Sequence, residues 1–351
     1  MELNPLNEAK TELKKEIRRD SAINAVLLFV FWAIYFGIAA FLKPLTRNFV
    51  DPADKDLFRN VETLIFYVLL YPVGFSIIFI INKLLYKGKR EVKIFECFRK
   101  PVTPPGWTAK WILLTIGATY ATAILSALIF IIVEEFTGAE LSEADMSSDN
   151  SALGIITILI STPVFAPIFE ELFFRGTLYR NVRNHGTWSM MLVCGLTFGI
   201  WHGNYPQFLF ASAMGFFSCF LFEKTKSIIP TMIVHFIINS IGSFMSILVG
   251  SVGLSSTEMT TAESYELLLE HPLFFLLLCA IGMCVITFII IWFVFFIIEI
   301  AYHKESFVLE KKNPEISEGK KFWIYLSSPL MAIVMLGMLG YTIFRALGGN
   351  I

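Results

Sequence analysis

The stretch PVFAPIFEELFFRGTLY, residues 163–179, decides how this chain folds. It belongs to an apolar run long enough to cross a bilayer, yet it contains two adjacent glutamates, Glu170 and Glu171, and Arg175 one helical turn later. Ionisable side chains inside a membrane span are costly, and they normally face the interior of a helix bundle. The stretch therefore predicts a membrane helix whose charged side chains are buried against other helices.

The helical period divides these three charges into a pair and a remainder. Glu171 and Arg175 are four residues apart, so they share a helix face and can form an ion pair. Glu170 is rotated by about 100° from Glu171, and Phe174, not a cation, stands one turn after it. We therefore predict that the pair has a structural role and that Glu170 is free to act as a general base or acid.

The rest of the chain has the composition of a polytopic membrane protein. Of its 351 residues, 56% are hydrophobic and 16% are charged, and the mean hydropathy is +0.66. Because a span needs about 20 apolar residues, we identify candidate spans at 22–42, 63–82, 111–133, 153–179, 187–203, 206–222, 228–249, 272–299 and 322–344. The fifth and sixth, joined by the tight turn HGNYPQ, can form a hairpin that does not fully cross. The fold class predicted is all-α, a polytopic helical membrane protein with about eight to nine transmembrane helices.

The loop charges predict the orientation of the chain. Lys and Arg concentrate in the loops 83–110, 180–183, 223–226 and 304–321, whereas the loops 134–152 and 250–271 are acidic and contain neither. Since cytoplasmic loops are rich in Lys and Arg, we expect a cytoplasmic N-terminus and an integral protein of the plasma membrane. Membrane lipids are the expected surroundings, and a net charge of −1 indicates no nucleic-acid partner.

The predicted spans divide the chain into four parts. These are a cytoplasmic segment at 1–21, two spans with a basic loop at 22–109, a core at 110–250, and two further spans around a basic loop at 251–351. For residues 1–21 two readings stay open: a solvated charged tail, or an amphipathic helix on the membrane with Leu3, Leu6, Leu13 and Ile17 on its apolar face. Five cysteines without any CxxC pair indicate neither a disulfide framework nor a zinc knuckle. Four ionisable residues outside the deep apolar runs are expected to be solvated: His185, His271 and His303 in loops, and Glu299 at a span end.

Two histidines accompany the three charges deep inside the apolar runs. His202 ends the sequence FGIWH, and His235 begins the sequence HFIIN. His235 and Asn239 are four residues apart, so they point the same way from one helix. Each alone has a plain alternative, a hydrogen-bonded core residue, but their proximity in sequence to Glu170 favours one shared polar site.

Three motifs in this order resemble the CPBP family, also called Abi or CAAX-protease-like. They are E-E-x-x-x-R (Glu170, Glu171, Arg175), F-x-x-x-H (Phe198, His202) and H-x-x-x-N (His235, Asn239). These intramembrane proteases are related to the CAAX prenyl endopeptidase and to bacteriocin-processing and immunity proteins. The resemblance covers roughly residues 110–250 and implies a conical intramembrane active-site cavity. It also implies an endopeptidase that hydrolyses a membrane-associated or lipidated peptide or protein.

The resemblance implies a role for each motif residue. Glu170 and His202 would activate the attacking water, and His235 and Asn239 would stabilise the oxyanion. Structural support would come from Glu171, Arg175 and Phe198.

The metal requirement is a separate question, because some members of the family were described as metalloproteases. Glu170, His202 and His235 could supply the three protein ligands of a catalytic Zn²⁺ site. However, no H-E-x-x-H sequence occurs in the chain. We therefore favour glutamate-dependent hydrolysis that requires no cofactor, with Zn²⁺ as the alternative.

Two other functions stay open at this point. One is a non-catalytic bacteriocin-immunity or scaffold protein of the same fold, although binding alone does not require an unpaired buried Glu170. The other is a proton-coupled transporter, although the chain has no evident inverted repeats and its polar residues cluster in one place.

Overall fold

The chain forms a bundle of membrane helices. The structure, a computed structural model, describes residues 5–87, 93–138, 151–252 and 266–347 except 268, and these contain helices and no strand. Eight helices in these ranges are long and apolar enough to cross a membrane: α1 (Pro5–Thr46), α2 (Lys55–Leu85), α3 (Pro105–Thr137), α4 (Ala152–Val182), α6 (Tyr205–Thr225), α7 (Ile229–Ser251), α8 (Pro272–Tyr302) and α10 (Pro329–Ala346). Two shorter ones are α5 (Trp188–Trp201) and α9 (Glu318–Leu326). The predicted all-α polytopic fold is confirmed.

Helix α5, the fifth predicted span, is too short to cross on its own. Its 14 residues extend about 21 Å at 1.5 Å per residue, against a hydrocarbon core of about 30 Å. It packs closely on α6, because a Cβ atom on Gly195 would lie 2.7 Å from the Ser212 carbonyl oxygen and one on Gly199 would overlap Phe208 O. Small residues thus bring the two backbones together, and this contact fixes the end of α5, where His202 lies.

Helices α2 and α4 leave regular α-geometry near the middle of the bundle. Helix α2 is π-helical over Leu69–Gly74, and α4 is π-helical over Ser161–Phe165 and again over Phe174–Tyr179. Pro72 and Pro163 lie in two of these segments, where each removes a backbone hydrogen bond. Single π-turns of this kind occur frequently at functional sites, and the two in α4 flank the regular turns that carry Glu170 and Glu171.

Two side chains that were predicted to be solvated are buried, so those predictions are wrong. Nε2 of His185 lies 2.8 Å from Oδ2 of Asp20 on α1, and both side chains are buried. Glu299 at the end of α8 is buried and forms an ion pair with Lys110 of α3. Both cases have one cause: a helix distant in sequence covers the position.

The first 21 residues, predicted as a tail, are from Pro5 onward part of helix α1. Leu13 and Ile17 of this part are buried in the core. Parts of the loops used for the orientation argument, residues 88–92, 139–150 and 253–265, lie outside the described residues. The orientation of the chain therefore stays a prediction.

Residues 303–328, here called the C-terminal strap, cross one end of the bundle. They comprise a 3₁₀ turn at Lys304–Phe307, an irregular stretch with a turn at 314–315, and helix α9. Oε2 of Glu318 accepts hydrogen bonds from the backbone N–H groups of Thr187 (2.9 Å) and Ser189 (3.0 Å) at the start of α5. Lys312 donates to the Arg183 carbonyl oxygen at 2.8 Å. The strap thus supplies acceptors and donors to the start of α5 and the chain before it.

Candidate active site

A buried ion pair lies at the centre of the site. Nη1 of Arg175 donates to Oε1 of Glu171 at 2.8 Å, and both side chains are 0% exposed. The Phe198 ring of α5 lies against the guanidinium group, with Cζ of Arg175 4.7 Å from the ring centroid. This is a cation–π arrangement. The spacing of four residues therefore produces the expected pair, and Phe198 covers it.

His235 of α7 lies against both glutamates of α4. Its Nδ1 atom is 3.1 Å from Oε1 of Glu171, within hydrogen-bonding distance. Its Nε2 atom is 3.8 Å from Oε2 of Glu170, which is too far for a direct hydrogen bond. One side of the imidazole is therefore held by the ion pair, while the other side faces Glu170.

Glu170 is buried, and its two oxygens have different surroundings. Oε1 accepts a hydrogen bond of 3.1 Å from the hydroxyl of Tyr71 on α2. Among the residues that the structure describes, none hydrogen-bonds to Oε2, although that atom is buried. A buried polar atom without a partner is costly. A carboxylate oxygen in this state is suited to bind a water molecule or a substrate group.

Tyr71 is the residue that the sequence argument missed. It lies in the sequence YPVG within the second span, and its neighbour Pro72 was the one local sign of an irregular helix. Tyr35, Tyr67 and Tyr120 also lie within predicted spans. Nothing in the sequence singled out Tyr71 from these, because its contact with Glu170 joins two helices 99 positions apart.

His202 follows the last residue of α5 and lies against the same aromatic ring. Its Nδ1 atom is 2.7 Å from the Phe198 carbonyl oxygen. Its ring is perpendicular to that of Phe198, with the centroids 4.7 Å apart, and His235 is also perpendicular to Phe198 at 5.9 Å. Because a carbonyl oxygen only accepts, Nδ1 carries a proton, and in the neutral imidazole Nε2 is then an acceptor.

Asn239, one turn after His235 on α7, contacts an irregular part of α4. Its Nδ2 atom donates to the Thr162 carbonyl oxygen at 2.9 Å, within the π-helical segment that contains Pro163. The amide group has a second N–H. Asn239 therefore ties α7 to α4 and keeps one donor for another partner.

The metal alternative can be tested against these positions. A catalytic zinc ion takes three protein ligands at about 2.0–2.2 Å. Within the described residues, no group of three His, Cys, Asp or Glu side chains converges closely enough to hold a metal ion. Glu170, His202 and His235 in this arrangement therefore do not fit such a site, and we derive no step through a metal.

The central segment matches a known family. Residues 152–241 match the model of the Rce1-like family, described as type II CAAX prenyl endopeptidase Rce1-like. This segment contains all three motifs, so the predicted resemblance to the CPBP and CAAX proteases is confirmed. The match supports a CAAX-type protease in general terms, and the apolar helices support an integral membrane protein. Searches of curated proteins and of solved structures gave no match.

Proposed function

We propose that this chain, whose central segment matches the type II CAAX prenyl endopeptidase family, is an intramembrane endopeptidase with Glu170 as its general base. Its substrate would be a membrane-associated peptide or protein that carries a prenyl group near the scissile bond. One observation carries the proposal. A buried carboxylate oxygen, Oε2 of Glu170, lacks a hydrogen-bond partner among the described residues and faces a histidine nitrogen 3.8 Å away.

In the proposed reaction, a water molecule bound to Oε2 of Glu170 attacks the carbonyl carbon of the scissile bond. Glu170 takes a proton from the water as the new C–O bond forms. When the tetrahedral intermediate collapses, the C–N bond breaks and Glu170 returns this proton to the leaving nitrogen. His202 assists by accepting a hydrogen bond at Nε2 from the second O–H of the water, which is not transferred, because its Nδ1 atom is occupied by the Phe198 carbonyl oxygen.

His235 would donate to the oxyanion from Nε2. Its Nδ1 atom contacts the Glu171 carboxylate, so this donation requires the imidazolium form. That form balances the charge of the site: two carboxylates, one guanidinium and one imidazolium sum to zero. During attack, the negative charge moves from Glu170 to the oxyanion and stays close to the same imidazolium. Preorganised donors of this kind supply a large part of catalysis in many enzymes.

Asn239 would supply the second donor through the N–H that does not contact Thr162. Its bond to the Thr162 carbonyl oxygen fixes the amide plane, so little reorganisation accompanies the reaction. Each oxyanion donor thus has its own partner: Glu171, paired with Arg175, holds His235, and the Thr162 carbonyl oxygen holds Asn239.

The experiment is proteolysis by the purified chain in liposomes. A fluorogenic peptide with a farnesylated C-a-a-X terminus is compared with the same peptide without the farnesyl group. We expect cleavage of the farnesylated peptide, a loss of about 10²-fold or more in Glu170→Gln, and wild-type turnover in Glu12→Gln, an exposed control. If wild type cleaves neither peptide, or if Glu170→Gln keeps full turnover, the proposal is rejected. If no proteolysis is found and cells with Glu170→Gln keep the wild-type phenotype, a scaffold protein is favoured instead.

A further inference from the structure

We infer that Tyr71 is a positioning residue for Glu170: its hydroxyl holds Oε1, so that Oε2 stays free and directed at the reacting water. The inference rests on the proposed role of Glu170 as general base. It adds to the site a helix, α2, that lies outside the segment matching the family, residues 152–241.

The first support is the difference between the two glutamates. Glu171 is held by Arg175 and by His235. The hydrogen bond that the described structure gives to Glu170 comes from Tyr71, at 3.1 Å. A free carboxylate can rotate and exchange its oxygens, whereas one engaged oxygen fixes the direction of the other. A general base held in this way remains in the orientation that proton transfer requires.

The second support is the rigidity of Tyr71 itself. Its ring is stacked between Tyr67 and Phe75, with centroids 5.7 and 5.8 Å away and interplanar angles of 13° and 6°. Phe169, the residue before Glu170, also contacts the ring at 5.8 Å. The whole side chain is buried. These contacts leave the hydroxyl with a defined direction toward Oε1.

The third support is the local backbone. Tyr71 lies in the π-helical segment Leu69–Gly74, beside Pro72. A π-turn displaces the following side chains relative to a regular helix and is frequent at functional sites. In α2 this segment faces the turns of α4 that carry Glu170, so the irregularity and the contact occur at the same level of the bundle.

The test compares Tyr71→Phe with wild type on the farnesylated peptide. The substitution keeps the ring and removes the hydroxyl, so we expect kcat to fall about 10- to 100-fold with KM nearly unchanged. Tyr120→Phe is the matched control, since its buried hydroxyl has no hydrogen-bond partner among the described residues; it should keep wild-type kcat. In the Glu170→Gln background, Tyr71→Phe should cause little further loss, because residues that act as a unit are not additive.

Two kinetic results would overturn the inference: wild-type kcat in Tyr71→Phe, or an equal loss from Tyr71→Phe in the presence and absence of Glu170. A failure of the proposed function is distinguishable, because then Glu170→Gln itself would keep full turnover.

An infrared spectrum gives a readout without activity: Tyr71→Phe should shift the carboxyl band that Glu170→Gln removes, and an unshifted band refutes the hydrogen bond. If Tyr71→Phe does not fold, a fluorinated tyrosine at position 71 keeps the ring and alters the donor. The same band must then shift.

Discussion

Replacing Glu171 by Ala tests whether the buried pair is what allows charges at this depth. Arg175 is 0% exposed and would keep its charge after the substitution. Its Nε and Nη2 atoms have no hydrogen-bond partner among the described residues even in wild type. Breaking a buried pair by removing one partner destabilises proteins by about 3–5 kcal/mol. The Phe198 ring, with its centroid 4.7 Å from the guanidinium carbon, contacts Arg175 before and after the substitution, so this cation–π contact cancels from the difference.

We therefore expect a loss of about 3–5 kcal/mol in the free energy of unfolding. Since 1.4 kcal/mol is tenfold in an equilibrium constant, this corresponds to about 140- to 3,700-fold. Equilibrium unfolding in mixed detergent micelles, with the folded yield recorded, measures it. The loss is larger still if His235, whose Nδ1 contacts Glu171, also loses its position.

The double variant Glu171→Leu with Arg175→Leu is the informative companion. Replacing a whole buried pair by apolar residues of similar volume is often neutral or stabilising, so the double variant should be more stable than Glu171→Ala. Glu12→Ala, which removes an exposed pair with Lys15, should leave unfolding unchanged. Wild-type stability of Glu171→Ala, or a double variant less stable than the single one, would refute the reasoning.

Three further predictions concern chemistry and pH. Asn239→Ala should lower kcat by about 10²- to 10³-fold with KM little changed, as for the loss of one oxyanion donor; an unchanged kcat on the fluorogenic peptide contradicts this. Exhaustive treatment with a chelator should leave peptide cleavage intact. A loss of activity that stoichiometric Zn²⁺ restores would favour the zinc alternative. Burial alone would raise the pKa of Glu318, but hydrogen bonds from Lys321 and Ser189 outweigh it and hold that pKa below its usual range. Its stabilising effect is therefore present above the unfolded value of about 4.3 and is lost as pH falls through the lower folded value. The protection of the Thr187 and Ser189 amides against hydrogen exchange, relative to their intrinsic rates, should fall in that acidic window in wild type, whereas Glu318→Gln should show weak protection at every pH.

The fold was predictable because membrane spans are recorded in the sequence as runs of apolar residues. The pairing of Glu171 with Arg175 was predictable for a similar reason, since both lie on one helix with a fixed period. The short α5 was only partly foreseen, because its packing depends on the approach of Gly195 and Gly199 to α6. The apolar period of a sequence defines the faces of each helix, but it does not define which other helix a face contacts.

Contacts between distant helices explain what was missed. Tyr71 reaches Glu170 from another helix, and several tyrosines in spans offered the same local signal. His185 was read as solvated because it follows α4 in a loop, yet Asp20 of α1 lies against it. In both cases the partner lies outside residues 152–241, the segment that matches the family.

Because the C-terminal strap is synthesised after every motif residue, it affects the order in which contacts form during synthesis of the chain. A ribosome delivers the chain from the N-terminus, so all motif residues up to Asn239 are synthesised well before Glu318. Until that carboxylate arrives, the N–H groups of Thr187 and Ser189 lack the acceptor that the finished fold gives them, and the first N–H groups of any helix have no partner within it. A nascent chain halted just before the strap would contain every motif residue while the start of the helix bearing Phe198 is still unsecured.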